Sequence, residues 1–322
     1  MDLSLPAIAA LFSACTWGIG SLMFSRVLAH PDIERRPGAF SACMVKNLTA
    51  CTAFILVWVV YGGAIPEQDA IIGLAWSGVL GFAIGDALFF GSAARCGVQV
   101  AGVVGQLNVP LAGVLAWAFL GEDLSMQEVF SMLLVLSGAS LVIFDKPAAK
   151  ASKIGMDKPA ARVSKIGKKS HGVYLALACA VCTAVANVLG HGSMEGVEVV
   201  PSAVTRLGAG VIGAFVLSAL FDLIAGLQGK PKTETASLVK PFKHRDILKL
   251  LFCAALISSV INLLPYHFAL RELRGGISSA LFATMPLFTL PIGRVFGERH
   301  GWRAVVGTLI GFVGVAGILS AS

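Results

Sequence analysis

The chain has 322 residues, of which 56% are hydrophobic and only 13% charged, and its mean hydropathy is +0.82. Soluble domains carry about 25% charged residues, so this chain has too little polar surface to cover a soluble globule; a water-soluble enzyme, a nucleic-acid binder and a disordered tail are all excluded. The net charge of +7, from 25 Lys and Arg against 18 Asp and Glu, has to be read by position, because bilayers sort basic residues by side.

A bilayer core of about 30 Å takes about 20 apolar residues per helix. Ten stretches meet that length: Leu5–Leu28, Gly38–Tyr61, Ala70–Ala93, Val98–Leu120, Met126–Phe144, Gly172–Gly192, Pro201–Gly226, Ile247–Leu270, Gly276–Phe296 and Trp302–Ser320. They lack period-2 alternation, which specifies helices rather than barrel strands. The predicted class is therefore an all-α integral membrane protein with ten transmembrane helices. The first stretch has Asp2 before it and no Lys or Arg until Arg26. A secretory signal has a basic start and a short apolar run, so this segment reads as a retained first helix; Phe12-Ser13-Ala14-Cys15 lacks the same basic start and is not read as a lipoprotein site. Glycines such as Gly102, Gly105, Gly208, Gly210, Gly311 and Gly314 fall inside the stretches, where small residues let backbones approach closely. The seven cysteines stand singly, apart from Cys179-x-x-Cys182 in an apolar helix without further ligands. Packing is the expected role there, and no metal site, catalytic residue or cofactor is indicated.

All the Lys and Arg residues except Lys46, Arg206, Arg271 and Arg274 lie in or beside the loops that follow odd-numbered spans. The other side collects Glu67, Asp69, Glu122, Asp123, Glu128, Glu195 and Glu198. The positive-inside rule then puts the odd loops in the cytoplasm and both termini outside it. The loop 145–170 contains a duplication: Asp145-Lys-Pro-Ala-Ala-Lys-Ala-Ser-Lys-Ile-Gly155 recurs as Asp157-Lys-Pro-Ala-Ala-Arg-Val-Ser-Lys-Ile-Gly167. It is polar, basic and poor in bulky apolar residues, so it is expected to be a disordered linker.

A shift of 176 residues brings spans 3–5 onto spans 8–10. Pro110-Leu111 meets Pro286-Leu287, Gly121-Glu122 meets Gly297-Glu298, Gly138 meets Gly314, Asp86 meets Asn262 and Phe90 meets Tyr266. A shift of 160 puts Lys46 on Arg206. The chain thus reads as residues 1–144, the linker 145–170 and residues 171–322, with five spans in each half. An odd number of spans turns the second half upside down, and two inverted five-helix repeats meeting near the midplane are a common architecture of secondary transporters.

Ten spans as five plus five, Trp17-Gly18 in the first, and the Pro110…Leu120-Gly121-Glu122 and Pro286…Phe296-Gly297-Glu298 endings of spans 4 and 9 resemble the EamA branch of the drug/metabolite transporter superfamily. The resemblance covers nearly all of the chain outside 145–170. It implies a ten-helix carrier with a central cavity lined by spans 1, 3, 4, 6, 8 and 9; the expected location is a prokaryotic cell (inner) membrane, with an organelle membrane as the alternative. Well-studied members keep both termini in the cytoplasm, whereas the loop charges here argue for the reverse.

Ionisable residues within spans are expensive to insert and are functional candidates by default. Lys46 and Asp86 lie at similar depth, about 11 Å in at 1.5 Å per residue, and are expected to be able to pair, either as a structural tie between spans 2 and 3 or as a coupling site. Arg206 has Asn262 as its apparent neighbour, which cannot neutralise it. It either faces a cavity, where it would attract a carboxylate or phosphate, or snorkels to the outer interface. Pro110 and Pro286 release the carbonyls of Gln106 and Phe282, next to Asn108 and Thr284; these breaks are either packing kinks or cavity backbone. Asn262 and Tyr266, with Ser258, share one face of span 8, with His267 beside them. Trp17 and Asn187 are further polar or stacking candidates. Glu122 and Glu298 sit at span ends, where helix dipoles favour a carboxylate.

No phosphate-binding loop is present, so the expected activity is secondary transport of a small metabolite, amino-acid-like, anionic or zwitterionic. A multidrug exporter of the same fold is the nearest alternative. An intramembrane enzyme would need clustered His and acidic residues, and the six histidines are scattered; a non-transporting scaffold is a third class. The expected partners are a small-molecule substrate and the lipid bilayer, with no nucleic acid and the oligomeric state left open.

Overall fold

The computed structural model describes residues 4–28, 30, 32, 36–121, 125–143, 169–229, 242–273, 275–282, 284–295 and 301–321. The linker duplication, Glu122 and Glu298 lie outside these. Among the described residues all regular structure is helical, as lipid requires of any span that must satisfy its own backbone groups. In chain order the helices are α1 (Leu5–Leu28), α2 (Ala39–Tyr61), α3 (Gln68–Gly78), α4 (Asp86–Cys96), α5 (Val98–Gly105), α6 (Asn108–Leu120), α7 (Met126–Ile143), α8 (Lys169–Gly192), α9 (Val199–Leu227), α10 (Arg245–Ala255), α11 (Asn262–Glu272), α12 (Gly275–Phe282), α13 (Met285–Val295) and α14 (Trp302–Ala321). Each begins or ends within about one turn of the apolar stretch that predicts it. Seven helical runs among the described residues are long and apolar enough to cross a membrane; α7 and α14 contain shorter apolar runs.

The third and eighth spans are continuous helical runs, each containing a π-helical turn that the apolar pattern does not announce. A π-helical turn, Val79–Gly85, joins α3 to α4, and a second, Leu256–Ile261, joins α10 to α11. The two turns end on Asp86 and Asn262, the residues matched by the 176-residue shift. Such turns widen the helix by one residue and leave backbone groups to be satisfied from outside. The Asn47 amide does this for the first turn, donating to the Phe82 carbonyl at 2.7 Å. Gly97 links α4 to α5 as a single residue at φ +87°, a conformation that a side chain would oppose.

Lipid supplies no hydrophobic drive between helices, so their contacts rest on close backbone approach and hydrogen bonds. A Cβ on Gly138 of α7 would overlap the Gly307 carbonyl and the Gly311 backbone of α14, while one on Gly314 would overlap the Ser131 and Val135 backbones of α7. The same 176-residue shift carries Ser131, Val135 and Gly138 onto Gly307, Gly311 and Gly314, so the contact is reciprocal. At the start of α7, Gln127 donates to the Gly317 carbonyl at 3.2 Å and to the Ser320 hydroxyl at 2.8 Å, near the end of α14. The contact therefore advances along one helix as it retreats along the other: α7 and α14 are antiparallel. Helices α2 and α9 show the same register. Phe40 meets Phe221 with ring centroids 5.7 Å apart, and Asn47 meets Gly210.

The remaining contacts exchange between the halves in the same way. Helix α1 packs on the α10–α11 and α12–α13 runs, while α8 packs on the α3–α4 and α5–α6 runs. The outward faces carry large apolar side chains, Val59 and Val60 on α2 and Ile212, Phe215 and Leu223 on α9 among them. In water such patches would drive association; against acyl chains they cost nothing.

Candidate functional site

A cavity of about 110 Å³ lies between the two halves of the chain, space for on the order of ten waters. Its wall combines five aromatic rings and three glycines with convergent polar and charged side chains, groups that can fix the orientation of a small molecule. Of the residues singled out in the sequence, Trp17 (α1), Lys46 (α2), Asp86 (α4), Gln106 and Asn108 (the α5–α6 break), Asn187 (α8), Arg206 (α9), Asn262 and Tyr266 (α11) and Pro286 (α13) line it. Pro110, His267 and Thr284 do not. The Thr284 hydroxyl donates to the Leu281 carbonyl at 2.7 Å, and His267 stands behind the wall.

Lys46 Nζ lies 2.7 Å from Asp86 Oδ2, with both side chains almost fully buried. The ammonium also sits 5.4 Å from the Trp17 ring centroid and 5.0 Å from that of Phe82, distances at which ring faces attract cations. In this low-dielectric setting the pair offsets a desolvation penalty that either ion alone would bear in full. The position of Asp86 at the end of the first π-turn turns its carboxylate toward α2.

Arg206 does not snorkel. Its side chain is 1% exposed, with Cζ 4.9 Å from the Phe82 ring centroid and 5.9 Å from that of Tyr266. Phe82 thus contacts both cavity cations. Arg206 Nη1 lies 3.3 Å from His267 Nε2, and His267 Nδ1 lies 2.8 Å from the Leu263 carbonyl. A carbonyl only accepts, so Nδ1 carries the ring proton and Nε2 accepts from the guanidinium. Among the described residues Arg206 has no carboxylate partner, and its Nε lies buried without an acceptor.

The expected Arg206–Asn262 neighbourhood is corrected. The Asn262 amide instead donates to the Ser13 carbonyl at 2.5 Å and to the Thr16 hydroxyl at 3.2 Å, while the Ser13 hydroxyl donates to the Asn262 carbonyl at 2.8 Å. These bonds tie the second π-turn to α1. The carbonyl released at Pro110 is not left open either: Val109 N–H donates to Gln106 O at 3.0 Å, a tight-turn bond that closes the break. Two interior prolines not singled out in the sequence, Pro265 and Pro291, lie inside α11 and α13, which continue through them. The Tyr266 hydroxyl donates to Asn187 Oδ1 at 2.6 Å, bridging the two walls. Tyr266→Phe is expected to lose about 0.5–1.5 kcal/mol of stability, read as a lower melting midpoint of the purified protein.

The EamA-like transporter family model matches residues 4–144 and again 170–320. The chain belongs to the EamA-like transporter family. It is accordingly a multi-pass integral membrane protein and a transporter of the drug/metabolite type, a family of carriers rather than enzymes. No curated protein matches it. A solved crystal structure of a protein superposes with a TM-score of 0.66 over 99% of this chain and 97% of that chain, at 16% identity, which speaks to the fold alone. The EamA resemblance implies a cavity lined by spans 1, 3, 4, 6, 8 and 9; here α2 and α9 reach it as well, each contributing its cation.

Sequence reading missed Phe82, Phe89, Phe282 and Thr183 on the wall and Asn47 behind it. The phenylalanines carry no signal that separates a cavity ring from a lipid-facing one. Asn47 had one: a carboxamide inside an apolar span needs a partner, and Lys46 beside it already marked that face of α2.

Proposed function

We propose that this chain is a secondary transporter that carries a small anionic or zwitterionic organic solute by alternating access. In this reading ten transmembrane helices form two inverted five-helix repeats, residues 1–144 and 171–322, joined by 145–170. The antiparallel registers of α7 with α14 and α2 with α9 support the inversion, since repeat-related helices that run in opposite directions belong to halves of opposite topology. Exchanging the conformations of two such halves exchanges the side to which a central cavity opens. The observation that carries the substrate reading is Arg206, a cation without a carboxylate partner among the described residues, on the wall of that cavity.

Purified protein reconstituted in liposomes tests it. Counterflow of a labelled organic anion or zwitterion, dependent on the protein, is the expected result; flux of lipophilic cations alone would make the chain a multidrug exporter, and no flux of any solute would remove transport. In this reading the membrane is a prokaryotic inner membrane, and the excess of Lys and Arg in the odd-numbered loops supports termini outside the cytoplasm. A reporter fused after Ser322 that is active only in the cytoplasm is expected to be silent, and a bright one reverses the topology.

A further inference from the structure

Resting on that transporter reading, we infer that the solute is a monoanion, a small monocarboxylate with a flat apolar body, and that Arg206 alone anchors it. Cavity charges decide between the anionic and zwitterionic arms. Two cations and one carboxylate line the wall, and they are not equivalent. Lys46 is already neutralised by Asp86 at 2.7 Å, whereas Arg206 meets no carboxylate among the described residues: its neighbours are the neutral His267 imidazole, the Phe82 face and the Tyr266 phenol, all uncharged. A zwitterion would bring an ammonium whose only carboxylate partner on this wall is Asp86, and engaging it means displacing Lys46, which then stays buried and uncompensated. A dianion would leave one negative charge over. A monocarboxylate balances the cavity with no pair broken.

The geometry around Arg206 suits this role. A guanidinium offers five N–H donors in a planar fork that matches a carboxylate. Of these groups, Nη1 is held by His267 Nε2, and Nε is buried without a partner. His267, fixed as the Nδ1–H form by the Leu263 carbonyl, holds the plane of the fork against Phe82 without adding charge. Gly190 of α8 leaves the space for it: a Cβ there would lie 3.3 Å from Arg206 Cζ. Trp17, Phe82, Phe89, Tyr266 and Phe282 supply ring faces for an apolar body.

Four probes with the same phenyl body separate the possibilities: benzoate (negative), benzamide (neutral), benzylamine (positive) and phenylglycine (zwitterionic). Binding to the full-length protein in nanodiscs is measured by calorimetry and thermal shift. Benzoate is expected to bind tightest, by about tenfold or more over benzamide, since a charge-assisted bond contributes that much. Arg206→Gln is expected to abolish the preference for benzoate, and Arg206→Lys to keep only part of it. Benzamide or benzylamine binding as tightly as benzoate, no binding of benzoate, or an Arg206→Gln protein that keeps the preference overturns the inference. Phenylglycine binding tighter than benzoate overturns it too and assigns the zwitterion. If Arg206→Gln does not fold, the ranking on the unaltered protein decides. A protein that carries a zwitterion in liposomes but shows no preference for benzoate satisfies the transporter reading and defeats this one, so the two fail separately.

Discussion

Replacing Asp86 by alanine is expected to destabilise the folded protein by about 3–5 kcal/mol, because it strands the Lys46 ammonium in a dry interior. Lys46 is 1% exposed and has Asp86 as its ion-pair partner; the Trp17 and Phe82 faces at 5.4 and 5.0 Å offset only part of the loss. Thermal unfolding in detergent reads the effect, and an unchanged midpoint would show that Lys46 does not depend on this carboxylate. The double replacement Lys46→Met with Asp86→Leu is the informative companion. Exchanging a buried pair for apolar residues of similar volume is often neutral or stabilising by about 1–4 kcal/mol, so the double variant should melt well above the single one. Its flux in liposomes then separates the two roles of the pair. A folded double variant that still transports leaves the pair as a structural tie between α2 and α4. A folded one that does not transport makes it part of the carrier cycle, and Asp86→Asn, which keeps the shape and removes the charge, is expected to fail in the same way.

Gly138→Leu and Gly314→Leu are expected to damage the protein by equal amounts, each by about 1–3 kcal/mol or more. At both positions an added Cβ meets backbone of the facing helix rather than the end of a flexible side chain, so relief requires α7 and α14 to move apart. Because the two contacts are images of one another, the first substitution already opens the seam for the second. The double variant should therefore cost clearly less than the sum of the singles, as for any two sites sharing one displacement. Melting midpoints of the three variants check this; unequal singles or full additivity would mean that the two contacts are independent.

Much of the fold was legible because each helix in lipid must be apolar along its whole length, and that pattern is local. The ends of α1 and α6 at Leu28 and Leu120 coincide with the ends of their apolar stretches for this reason. The repeat was legible at Gly138 and Gly314 because close backbone contacts tolerate little but glycine. The π-turns were not, since one extra residue in a turn changes neither composition nor period enough to read in Val79–Gly85 or Leu256–Ile261. Lys46, Asp86 and Arg206 stood out for a simple reason: charge inside a span is costly enough to be rare.

What the sequence determined by itself is the class of the protein, the placing of its apolar helices, its duplication and Lys46, Asp86 and Arg206 as charged residues well inside spans, all set by the price of polar groups in hydrocarbon. Only the tertiary structure decided how those charges are used. It joined Lys46 to Asp86, turned Asn262 away from Arg206 and onto Ser13, and set Arg206 between Phe82, Tyr266 and His267. These are contacts between helices distant in the chain, and a residue's partner across such a contact depends on helix rotation and register, which local composition does not encode.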